Sequence, residues 1–101
     1  MVTTDRARKE FDIDARNVFI PGKDETNWIT PSDLEDIPIQ ADIFKIACTK
    51  YLGTDFEMCR FIAQYGPYYT NLYVAMGAVD HNGLLAIIKD IDQRMMQCLG
   101  K

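Results

Sequence analysis

The side chains most able to do chemistry here are one histidine, three cysteines and a set of acids. His81 lies in the run Asp80-His81-Asn82-Gly83, and the cysteines are Cys48, Cys59 and Cys98. Nucleophilic catalysis through a histidine needs a serine, cysteine or threonine folded against it. No spacing here sets up such a pair, because each cysteine sits among apolar neighbours where a free thiol packs as a small hydrophobe. His81 reads as an exposed turn residue and no catalytic residue is assigned.

Zinc sites announce themselves by ligand pairs within one turn of chain, such as C-x-x-C. These cysteines are eleven and thirty-nine residues apart, so the expectation is no metal and no cofactor. An odd, widely spaced set also argues against a disulfide framework and fits a reducing compartment. Acidic groups at Asp12 and Asp14, and at Asp33, Glu35 and Asp36, lack the ligand pattern and turn glycine of a calcium loop and read as solvated acids. Asp55, Glu57, Asp90 and Asp92 give no positive sign of paired-carboxylate chemistry, and the six glycines form no phosphate-binding fingerprint.

The most unusual feature is aromatic. Tyr65, Tyr68, Tyr69 and Tyr73 crowd around Gly66-Pro67, with Tyr51, Phe56 and Phe61 upstream. Tyrosine offers large contact area with a polar tip, so the cluster marks a candidate partner surface, with core packing as the plainer alternative. Trp28 has the same two readings: it pins the amino-terminal segment to the body or it anchors a partner.

The elements that must position these groups read as mainly α. Pro38 suits a first helical position and Gly53 a C-terminal cap, with Ile39, Ile43, Phe44, Ala47, Cys48, Tyr51 and Leu52 between them, which predicts a helix over 38–52. Thr54 and Glu57 form a capping-box pattern, predicting a helix over 55–65 that stops at Gly66-Pro67. A third helix is expected over 67–79. There, strand-favouring Tyr69, Tyr73 and Val74 and the turn pair Asn82-Gly83 keep a hairpin as the alternative. Asp80 caps a final helix over 82–99, whose Leu84, Ile88, Ile91, Met95 and Leu99 line one face. Residues 1–37 read as an irregular amino-terminal arm or layer with at most a helical turn near Thr4 to Phe11 or a short strand through Phe11, Ile13 and Phe19. The expected fold is therefore a bundle of about four helices over 38–101 carrying that arm, all in one domain.

Composition bounds the function. The 101 residues carry a formal charge of -4, with 48% apolar and 26% charged residues. A chain of this length folds around one core, burying about 65% of the surface it exposes when unfolded. The negative charge removes the phosphate-neutralising term that drives nucleic-acid affinity, and the 67–79 segment holds no Lys or Arg to read bases. The amino-terminal arm does carry Arg6, Arg8, Lys9 and Arg16, but Asp5, Glu10, Asp12 and Asp14 between them cancel most of their field.

No apolar stretch approaches the roughly 20 residues of a spanning helix, and the first ten residues do not resemble a signal peptide, so the expected compartment is the cytoplasm. The expected function is a non-enzymatic, acidic protein-interaction module that regulates or inhibits a larger partner with a basic surface, in the manner of an inhibitor, immunity protein, antitoxin or adaptor. The expected contacts are Tyr65, Tyr68, Tyr69, Tyr73 and Trp28. Self-association into a homodimer through Met95, Met96 and Leu99 is also expected. The alternative is a small-molecule sensor or carrier with a pocket lined by Tyr51, Tyr65, Tyr69 and Met76.

Overall fold

The computed structural model describes residues 3–77 and 79–100. Its elements run α1 (Thr4–Asn17), a single 3-10 turn (Ser32–Leu34), β1 (Ile43–Lys50), β2 (Glu57–Tyr65), β3 (Tyr68–Ala75) and α2 (His81–Cys98). The strands form one antiparallel sheet in the order β1-β2-β3. The molecule is a small mixed α/β fold, and the four-helix bundle expected over 38–52, 55–65, 67–79 and 82–99 is overturned in its first three members.

The reason lies in how the sheet is covered. On one face Ile46, Cys48, Cys59, Phe61, Ala63 and Tyr65 pack with Leu84 and Ile88 of α2 and with Leu34. On the other face α1 lies across β2 and β3 and buries Ala7 and Phe11. With both faces covered, residues 46–49 and 61–65 are buried without a break. A two-sided strand shows no alternation of apolar and polar residues, and a short continuous apolar run cannot be told from a buried helix by periodicity.

Gly66-Pro67 is a two-residue hairpin loop and not a break between helices. Tyr65 pairs with Tyr68 across it, and Gly66 has φ 54°. Positive φ at the first loop position followed by proline matches a type II′ turn, whose twist suits a hairpin. Thr54 likewise serves a turn, its hydroxyl donating to the Tyr51 carbonyl. Asn82-Gly83, the hairpin signal, falls inside the first turn of α2, where the Asp80 carboxylate accepts from the Gly83 N–H at 2.7 Å. The final helix thus stands one residue from its expected bounds, starting from the expected cap.

The amino-terminal region is also more regular than its composition suggests. Thr3 caps α1 by accepting from the Arg6 N–H. The buried stripe is only Ala7 and Phe11, one turn apart, while Ile13 is exposed, so the strand through Phe11, Ile13 and Phe19 does not form. After α1 the chain passes along the outer edge of β1, where Ile29 and Cys48 exchange backbone hydrogen bonds of 3.0 and 2.8 Å. Neither helix is long and apolar enough to cross a membrane.

Candidate functional site

Cys48 and Cys59 are directly opposed on β1 and β2 and form a disulfide. The sequence reading of two inert thiols on helices is corrected: antiparallel strands joined by six residues bring residues eleven apart face to face. Their Cα atoms are 4.0 Å apart, the close spacing of a non-hydrogen-bonded antiparallel pair. Cys98 is free and exposed.

Beside this disulfide stands His81, the first residue of α2. It is not a turn residue pointing into solvent. Its Nδ1 lies 2.9 Å from Asp33 Oδ2 and its Nε2 2.8 Å from Glu57 Oε1, and the side chain is 28% exposed. Burial works against the charged ring, but the hydrogen bonds and charges of Glu57 and Asp33 outweigh it and hold the imidazole above its usual range. Glu57 starts β2 and shares a face with Cys59 two residues on. One ligand atom from each of Cys48, Glu57, Cys59 and His81 falls within 4.8 Å of the others. A surface cavity is lined by Cys48, Glu57 and His81 together with Ile29, Pro31 and Lys50. Sequence spacing missed this group because its members come from two strands, a helix start and the 3-10 turn. The one local signal was the Asp80 cap, which fixes His81 at a helix N-terminus.

The predicted aromatic contacts are dispersed. Tyr65 is fully buried and donates its hydroxyl to Asp92 Oδ1 at 2.8 Å. Tyr69, on the opposite face, donates to Asp14 of α1. Burial first, then these carboxylate contacts, push both phenols well above their ordinary range. Tyr65 and Tyr69 therefore line no common pocket. Trp28 is half-buried and packs edge-on against Phe19 at 5.7 Å within the segment after α1, and it is the Phe19 ring that meets β1, under Lys45.

Tyr68 and Tyr73 remain exposed, at 41% and 46%, and Arg60 lies over the Tyr73 ring. Both belong to β3, an edge strand of sequence YYTNLYVA with no charged residue. Cys48 bonds outward to Ile29, so by register Cys59 bonds toward Val74. The backbone groups of Tyr69, Asn71 and Tyr73 then point off the free edge of β3. At the end of α2, Met95, Met96 and the C-cap residue Leu99 pack partly against the core, so they are not a wholly free surface for pairing. In comparisons with protein-family models, curated proteins and solved structures, none matches this chain.

Proposed function

We propose that the protein is a non-enzymatic interaction module that docks a partner protein by adding a strand to the free edge of β3. The observation that carries this reading is the asymmetry of the sheet. The outer edge of β1 is covered by the chain around Ile29, whereas β3 has no neighbour beyond it among the described residues. Soluble proteins usually blunt an open edge with charges, proline or a bulge. β3 has neither charge nor proline along eight residues.

Main-chain bonds from Tyr69, Asn71 and Tyr73 would supply affinity to an incoming strand, and Tyr68 and Tyr73 would supply side-chain contact on its two faces. The charge of -4 favours a basic partner through complementary fields. A second copy of the chain could use the same edge about a two-fold axis, a geometry different from the pairing through Met95, Met96 and Leu99 expected from the sequence.

Asn71→Pro tests this reading. Proline removes the outward N–H while leaving the β2–β3 ladder its inward bonds, and edge strands tolerate it. Affinity capture from native lysate with both proteins should retain one stoichiometric protein on the wild type and lose it on Asn71→Pro, with the melting temperature nearly unchanged. Equal retention by both proteins would remove the β3 edge from the mechanism.

A further inference from the structure

The group around His81 points to a second property, independent of the β3 edge. We infer that Cys48, Cys59, His81 and Glu57 form a zinc site that becomes available when the Cys48–Cys59 disulfide is reduced.

The ligand chemistry favours zinc. Two thiolates and an imidazole select a borderline-soft ion over calcium or magnesium, and a carboxylate is an accepted fourth ligand. In a tetrahedral site with bonds of about 2.0–2.3 Å, neighbouring ligand atoms stand roughly 3.3–3.8 Å apart. The four ligand atoms already lie within 4.8 Å of one another; once the bond between Cys48 and Cys59 is reduced, side-chain rotations that part the two sulfurs and draw in His81 and Glu57 would set them around one ion.

The surroundings supply what zinc-bound histidines need. Asp33 lies at Nδ1, 2.9 Å away, where it holds the ring proton and leaves the Nε2 lone pair for the metal. This is the carboxylate–histidine–zinc arrangement that fixes the tautomer and raises ligand basicity. Nε2 now meets Glu57 at 2.8 Å, and a zinc ion would replace the proton shared between them. The ligands sit on well-fixed parts of the fold: Cys48 and Cys59 are 3% and 1% exposed, and Asp80 caps the helix that begins with His81. The cavity lined by Cys48, Glu57 and His81 offers a path for both reductant and metal.

The two states exclude each other, because each sulfur bonds either its partner or the ion. A dithiol reductant supplies two electrons and two protons, converting Cys48–Cys59 to two thiols while the dithiol closes to its own disulfide. Zinc then binds both sulfurs as thiolates and their two protons leave to solvent. A disulfide oxidant reverses the sequence: it takes two electrons from the two thiolates and two protons from solvent to become a dithiol, Cys48–Cys59 re-forms, and the ion is released. The site is thus a redox-gated zinc switch at the junction of β1, β2 and the start of α2.

Cobalt(II) titration of the full chain tests the inference. Reduced protein should bind one equivalent, with thiolate-to-cobalt charge-transfer absorption and the intense visible bands of a tetrahedral site, and oxidised protein should show neither. Zinc should raise the melting temperature of the reduced protein, or restore its fold if reduction has loosened it, and leave the oxidised protein unmoved. Asp33→Asn should weaken cobalt binding about 10–100-fold, and His81→Asn by at least as much. Cys98→Ser should change nothing, since Cys98 stands seventeen helical residues from His81, about 25 Å along the axis. Absence of tetrahedral bands in reduced protein, or bands that survive His81→Asn and vanish in Cys98→Ser, would overturn the assignment.

Discussion

Tyr65 is fully buried with its hydroxyl on Asp92, itself nearly buried and also accepting from the Gln40 N–H at 2.8 Å. The phenol therefore ties the end of β2 to the middle of α2, and Asp92 ties α2 to the segment before β1. Tyr65→Phe keeps the ring and removes the bond, leaving Asp92 with one partner fewer. A hydrogen bond to a charged group contributes about 1.5–3 kcal/mol, and urea denaturation should show a loss of that size.

The same residue sets a pH dependence. Burial and then the Asp92 contact raise the Tyr65 phenol from its ordinary 10.0. Below pH 10 folded and unfolded chains both hold it neutral. Above it the unfolded chain ionises first, so stability falls as pH climbs toward the folded-state value. Melting temperatures measured upward from about pH 10 should decline less steeply in Tyr65→Phe than in wild type. Sequence reading marked Tyr65 as important but could not see this role, because Asp92 follows Leu84 and Ile88 on the buried stripe of α2 and the helix pattern does not name what a carboxylate there would meet. The partner of a buried carboxylate is a property of three dimensions.

Among the elements, α2 was legible and the sheet was not. A helix on one face of a core writes its stripe at Leu84, Ile88 and Met95 and its start at Asp80, all within one stretch of chain. β1 and β2 are clad on both sides, so the alternation that marks a strand is absent, and Pro38, Gly53 and Gly66 supplied helix punctuation to runs that are extended. α1 was hidden for the opposite reason: its buried stripe is two residues wide in a polar sequence. The candidate site depended on the unread elements, which is why Cys48, Cys59, Glu57 and His81 went unrecognised as a group.

The disulfide spans the hairpin of these two strands, and closing a loop of this length contributes on the order of 2–4 kcal/mol. The double variant Cys48→Ala, Cys59→Ala should therefore melt below the oxidised wild type in calorimetry, with its far-ultraviolet dichroism retained at low temperature.

For the whole molecule, two cores meet back to back at β2. Ile62 and Ala63 are both 0% exposed, although by alternation they face opposite sides of the sheet, Ile62 toward α1 and Ala63 toward α2. Amide hydrogen exchange should accordingly be slowest in the middle of β2 and fastest in the exposed stretches around 20–24 and 52–55. Equal protection of β2 and β3 would show that an unseen neighbour already covers the free edge.

The strand order carries a consequence for assembly of the chain. Every neighbour in the sheet is also the next strand in sequence, joined by six residues in one case and two in the other. Loop closures this short cost little entropy, and low contact order goes with rapid folding. The three strands can therefore zip up as a meander from local encounters, leaving α1 and α2 to settle from either side onto a template already in register.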